Sequence, residues 1–127
     1  MTALRTPGAI LLVSCYELGR QPAGLAFPLA FLARAGFAPA ALDLAVEALD
    51  EARVRRARLV AISVPMHTAL RIGVMAAARV RALNPGATIC FFGLYAHDHC
   101  FPFDAPLIRR SHALRSNHNV LRFALAA

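Results

Sequence analysis

Side chains that could do chemistry follow the first apolar run of the chain. Residues 9–14 read AILLVS, and the next five residues supply a thiol, a phenol, a carboxylate and a flexible glycine. They are Cys15, Tyr16, Glu17, Leu18 and Gly19. A loop at the carboxyl end of a parallel strand is where open α/β folds hold their ligands. We therefore predict a ligand-binding loop here, although Cys15 as a small buried residue and Tyr16 packed over the sheet are the plainer alternatives.

Histidines mark two further places. His67 follows the apolar run 59–66, where it would either contact a ligand or face water at the start of a helix. Residues 97–100 read HDHC, but four consecutive residues cannot surround a zinc ion tetrahedrally without partners from elsewhere. We favour a polar loop over a metal centre there.

Several nucleotide and hydrolase motifs are absent from the sequence. It has no G-x-x-x-x-G-K-[ST], no G-x-G-x-x-G after the first apolar run and no G-x-S-x-G. A phosphate-regulated receiver would need acidic residues after strands 1 and 3, where this chain has Ser14-Cys15 and Ser63-Val64. These absences argue against nucleotide hydrolysis, ordinary dinucleotide binding and serine-hydrolase chemistry.

The elements that must position these residues alternate in type. Apolar runs predict strands over 9–14, 40–44, 58–64 and 88–93. Helices are expected from Pro28 to Gly36, over 51–57 after an Asp50 cap, and over 68–83. The last has an inward stripe of Leu70, Val74, Ala77 and Val80. This alternation predicts an α/β, doubly wound, flavodoxin-like or Rossmann-like parallel sheet of four to five strands with helices on both faces.

The expected domain covers residues 1–96, and residues 97–127 form a divergent tail. A helix near 105–114 and a strand near 120–125 would supply a last helix and a fifth strand. The apolar runs are too short to cross a bilayer, and the N-terminus lacks the apolar centre of a secretory signal, so we expect a cytoplasmic protein without a membrane partner.

Charge and cysteine content set further expectations. The net charge of +7 comes from fourteen arginines and no lysine, and the arginines are scattered rather than interleaved with aromatics. We therefore expect a solvated surface and not a nucleic-acid interface. Three widely spaced cysteines are typical of reduced thiols, not of a disulfide framework.

An ordered series of short motifs resembles a known family. They are Pro-x-Gly-Leu at 22–25, Arg-Ala-Gly at 34–36, Asp-Leu at 43–44, Val-Ala-Ile-Ser-Val at 60–64, Leu-Asn-Pro at 83–85 and the strand ending at Gly93. Over about residues 9–96 the chain resembles the N-terminal cobalamin-binding domain of radical S-adenosylmethionine proteins. It is most similar to a subgroup with a short cysteine- or selenocysteine-containing tail.

The chain also departs from this family. The cobalt-ligating Asp-x-His-x-x-Gly of other cobalamin domains is replaced by Ser14–Gly19, without histidine. Phe92 stands where the family usually has the first glycine of a pair. The Cys-x-x-x-Cys-x-x-Cys motif of the radical module is absent, so no iron–sulfur cluster is expected in this chain.

The resemblance implies which residues would hold cobalamin. The loop residues Cys15, Tyr16, Glu17, Leu18 and Gly19 would lie against the corrin ring. A slot for the nucleotide tail would be lined by Ser63, Val64, Pro65 and Met66, with Gly93, Leu94 and Tyr95 as its far wall. No residue is assigned a catalytic or direct metal-binding role.

Three interpretations follow. The leading one is a corrinoid-binding module without catalysis of its own, acting beside a radical S-adenosylmethionine domain or protein in trans. The second is a domain that keeps the fold without the cofactor and serves as an interaction partner. An independent enzyme is third, since only the HDHC run offers it candidates. An unpaired sheet edge after strand 4 would favour a homodimer.

Overall fold

The computed structural model describes residues 2–98, which form one parallel sheet with helices on both of its faces. In chain order the elements are α1 (Thr2–Arg5), β1 (Ile10–Ser14), α2 (Ala23–Arg34), β2 (Ala40–Asp43), α3 (Glu51–Arg56), β3 (Leu59–Ser63), α4 (His67–Leu83), β4 (Thr88–Phe92) and α5 (Tyr95–Asp98). The predicted helix at 105–114 and strand at 120–125 lie outside the described residues. Each of the four predicted strands is confirmed to within two residues at either end.

The strand order is β2-β1-β3-β4, with every neighbouring pair parallel. This is the order of a flavodoxin-like sheet, and it confirms the predicted α/β class. Because every strand runs the same way, all four end at one edge of the sheet, here called the carboxyl edge. The β1 and β3 strands lie in the middle and are completely buried, which explains why they read as continuous apolar runs.

Two apolar layers enclose the sheet. One layer joins its first face to α3, α4 and α5 through residues such as Val54, Val80 and Ala96. The other joins the opposite face to α2 through Leu25 and Leu32. The predicted stripe of α4 is largely confirmed, since Leu70, Ala77 and Val80 are buried, while Val74 is only half-buried.

The start of α2 differs from the sequence prediction. Proline favours the first position of a helix, which predicts a start at Pro28, yet the helix begins at Ala23 and holds Pro28 inside it. Pro22 takes the N-cap position, and its carbonyl accepts hydrogen bonds from Leu25 and Ala26 N–H at 2.9 and 3.2 Å. Burial of Pro28 against the core compensates for the helical hydrogen bond that proline cannot donate.

Two side chains secure α3. Asp50 accepts a hydrogen bond from Arg53 N–H at 3.1 Å, confirming the predicted N-cap. At the other end of α3, the Asn84 side-chain amide lies 2.9 Å from the carbonyl of Val54 and 2.7 Å from that of Ala57. Asn84 follows the last residue of α4, so one side chain joins the C-terminal ends of two helices.

None of the helices within residues 2–98 has the length and apolarity needed to span a membrane.

Candidate functional site

The carboxyl edge contains the point at which the chain connections diverge. The connection leaving β1 leads outward to β2, whereas β3 leads through α4 to β4 on the other side. Ser14 pairs with Ser63 in register, so the loops that follow these two serines begin side by side and then separate. A crevice at such a point is the usual ligand position in open α/β sheets.

The loop after β1 is held by a tight turn. Arg20 N–H donates to the Glu17 carbonyl at 3.0 Å, and both central residues have left-handed backbones, with φ of 55° at Leu18 and 70° at Gly19. Glycine adopts this conformation without strain, whereas leucine rarely does. The turn leaves the Leu18 side chain 65% exposed at the carboxyl edge.

Glu17, Gly24 and Ser63 come together at the divergence of β1 and β3, and we call them the switch-point cluster. Gly24 lies in the first turn of α2, and its N–H donates to Glu17 Oε1 at 3.2 Å. A Cβ built at Gly24 would collide with Ser63 Oγ and lie 3.2 Å from Glu17 Oε1. Glycine is therefore favoured here by close packing of α2 against both polar side chains.

The carboxylate of Glu17 is only half satisfied. Pro22 offers no capping side chain at the start of α2, and Glu17 Oε1 supplies the missing acceptor. The second oxygen, Oε2, is buried and has no hydrogen-bond partner among the residues that the structure describes. Buried polar atoms in proteins are nearly always paired, so an unpaired carboxylate oxygen at the divergence of β1 and β3 calls for an explanation.

Three residues of the predicted nucleotide-tail slot lie where β3 and β4 end. We call Val64, Gly93 and Tyr95 the β3–β4 corner. Val64 N–H donates to the Phe92 carbonyl at 2.8 Å, and the Val64 carbonyl accepts from Tyr95 N–H at 3.1 Å. Gly93 has a φ of 107°, and a Cβ there would lie 3.1 Å from the carbonyl carbon and oxygen of Val64. The space beside Gly93 is thus occupied by the chain itself.

The cysteines at the strands are buried. Cys15 is 2% exposed and Cys90 is 4% exposed. Burial raises the pKa of Cys90 to about 12, and burial together with the nearby charge of Asp43 raises the pKa of Cys15 to about 11. Both thiols therefore remain protonated near neutral pH and pack as small apolar groups. Cys90 lies in the middle of β4, where such burial is typical.

His67 is the first residue of α4 and is exposed. Its ring makes an edge-to-face contact with Tyr95, with the ring centres 6.5 Å apart. The imidazole therefore faces water and still lies at the carboxyl edge, close to the β3–β4 corner. Sequence alone left contact with a ligand and exposure to water as alternatives; the structure shows the exposure, and ligand contact stays a prediction.

The twelve predicted site residues all lie at the carboxyl edge, at three different depths. Cys15, Ser63 and Val64 are buried beneath it. Leu18, Gly19 and Leu94 are exposed, and the remaining six are half-buried: Tyr16, Glu17, Pro65, Met66, Gly93 and Tyr95. Gly24 was missed as a site residue. With the helix predicted to start at Pro28, Gly24 read as a loop glycine, and its place in the first turn of α2 is known only from the structure.

Metal ligands do not cluster in the described part of the chain. No group of three or more His, Cys, Asp or Glu side chains within residues 2–98 could hold an ion.

Comparison with protein-family models, curated proteins and solved structures gave no match.

Proposed function

We propose that this chain is a corrinoid-binding module without catalysis of its own, working beside a radical S-adenosylmethionine domain or protein. The observation that carries the proposal is the switch-point cluster, where a half-satisfied carboxylate lies at the divergence of β1 and β3. The sequence resemblance over residues 9–96 gives the chemical class of the ligand.

The residue types at the carboxyl edge suit a broad ring with hydrogen-bonding groups on its rim. Tyr16, Pro65 and Met66 offer half-buried apolar and aromatic surface on two adjacent loops. Corrinoids carry primary amides around their ring, and Glu17 offers an acceptor for one of them. The bound corrinoid would supply the cobalt chemistry, while these residues orient the ring and exclude water from one of its faces.

The loop after β1 offers no histidine to a bound cobalt, because Tyr16 and Glu17 occupy that part of the chain. A corrinoid held here would therefore receive no nitrogen ligand from this loop. His67 lies at the carboxyl edge with its ring exposed, and it is the alternative ligand to test.

A second candidate function is an interaction domain that has kept the fold without the cofactor. The β3–β4 corner favours it, because Gly93 and Val64 serve backbone packing and leave no gap for a nucleotide tail at that point. A corrinoid would then have to bind through the loops after β1 and β3 alone.

A binding experiment separates the two functions. The purified full chain is mixed with excess hydroxocobalamin under reducing conditions and desalted, and its visible spectrum is recorded. Near-stoichiometric corrinoid with a base-off spectrum supports the module, and a Tyr16→Ala variant should retain less of it. A spectrum with nitrogen-ligated cobalt that is lost in His67→Ala would make His67 the ligand. Loss of all corrinoid from a folded protein, as judged by circular dichroism, supports the interaction domain.

A further inference from the structure

We infer that Glu17 selects the ligand of the switch-point cluster. The ligand group that Glu17 binds is a hydrogen-bond donor and not a phosphate. The donor is a primary amide, an amine or a hydroxyl group. This inference rests on the proposed function and deepens it, since it names the part of the ligand that Glu17 recognises.

The two oxygens of Glu17 have different roles. Oε1 accepts the N–H of Gly24 and so is committed to the start of α2. Oε2 is buried without a partner in the described part of the chain, so it keeps its full capacity to accept a hydrogen bond. A bound donor would satisfy it, and hydrogen bonds to a charged acceptor in a site shielded from water are among the stronger ones.

The same geometry disfavours phosphate. Helix N-termini bind phosphate through free backbone N–H groups, and at α2 the Gly24 N–H is already used by Glu17. An incoming phosphate would also meet the carboxylate, which repels it. The carboxylate thus stands in the place that a phosphate would need, and this agrees with the absence of a glycine-rich phosphate loop after β1.

Ser63 limits the approach from the other side. Its hydroxyl is 2% exposed and lies against Gly24, so α2 cannot move closer to β3. The hydrogen bond from Gly24 N–H then holds the Glu17 carboxylate against the start of α2. A fixed acceptor discriminates between donors and acceptors more sharply than a mobile one.

Glu17→Gln tests the inference with little change of shape. The amide oxygen of glutamine can keep the Gly24 hydrogen bond, which places its NH2 group where Oε2 was and turns an acceptor into a donor. Glu51→Gln is the matched control, because it removes the same charge from an exposed residue of α3. Circular dichroism and thermal unfolding establish that each variant is folded.

The probes are hydroxocobalamin and cobinamide, which share the amide-bearing ring but differ in the phosphate-containing nucleotide tail. Spectral titration should show that both bind the wild-type chain, and that Glu17→Gln weakens both by at least tenfold while Glu51→Gln changes neither. Equal affinity of the wild type and Glu17→Gln would overturn the inference and leave the proposed function standing. A wild-type chain that binds neither probe would overturn both.

A second measurement does not depend on the variant. Inorganic phosphate is added to the wild-type chain, and its unfolding temperature is followed at constant ionic strength. We expect no shift. A saturable rise in the unfolding temperature would show that the chain takes phosphate and would overturn the inference.

Discussion

The switch-point cluster and the β3–β4 corner lie side by side at the carboxyl edge, yet they use their glycines differently. Gly24 brings a helix against two polar side chains and leaves Glu17 Oε2 without a partner among the described residues. Gly93 brings backbone against backbone, and the contact is closed by hydrogen bonds from Val64 and Tyr95. The first region keeps a carboxylate oxygen without a partner among the described residues, whereas the second uses its groups to hold the sheet together. A glycine at this edge is therefore not by itself evidence of a ligand.

The largest effect is expected from Gly93→Ala. Alanine would have to adopt a φ of 107° and bring its Cβ to 3.1 Å from the Val64 backbone, which cannot rotate away. We expect the free energy of unfolding to fall by about 3 kcal/mol. Urea denaturation measures it, and a loss under about 1 kcal/mol would show that the corner is not tightly packed.

Gly24→Ala should cost less and should be reversible by a second change. The added methyl meets Ser63 Oγ, a side-chain atom, and alanine regains part of the loss through its better helix propensity. We expect a net loss of about 1 kcal/mol in the free energy of unfolding.

Ser63→Ala removes the colliding oxygen, so the double variant Gly24→Ala/Ser63→Ala should be more stable than the sum of the single changes predicts. A double-mutant cycle by urea denaturation measures this coupling. If the losses in the free energy of unfolding add strictly, Gly24 and Ser63 do not touch. No second substitution is expected to rescue Gly93→Ala in this way, because its Cβ meets backbone atoms.

An effect that is absent at neutral pH concerns the buried thiols beneath the two regions. The pKa of Cys15 is raised to about 11 and that of Cys90 to about 12 from an ordinary value of 9.0. Unfolded thiols therefore ionise first, so the stability from this source is complete below about pH 9 and is lost as the pH rises through 11 toward 12. Stability curves from pH 8 to 11 should fall less steeply for Cys15→Ala/Cys90→Ala than for the wild type. Parallel curves would show that the thiols are accessible to water.

The sheet could be predicted from the sequence because its signals are local. The apolar runs at β1 and β3 report burial on both faces, and Asp50 is a cap that acts on a residue three positions later. The predicted start of α2 was wrong. Pro28 favours the first turn of a helix, but the burial of Pro28 and the N-cap at Pro22 outweigh that preference. That competition depends on packing that the sequence does not display.

The sequence predicts where in the fold the candidate site lies, but not which of its residues contact each other. Residue types located the loops after β1 and β3, and strand order then brought them together. The role of Gly24 depends on Ser63, 39 positions later, and the role of Gly93 depends on Val64. Such pairings between distant positions are set by the crossovers, so no local pattern around either glycine could reveal them.

Asn84 has a consequence for how the molecule opens. Its side-chain amide joins the carbonyls at the end of α3 to the residue that ends α4, so the final turn of α3 cannot fray alone. The two helices are therefore expected to behave as one cooperative unit in native-state hydrogen exchange, releasing their slowest amide protons with a single opening free energy. The α2 helix, on the opposite face of the sheet, should exchange with a separate one.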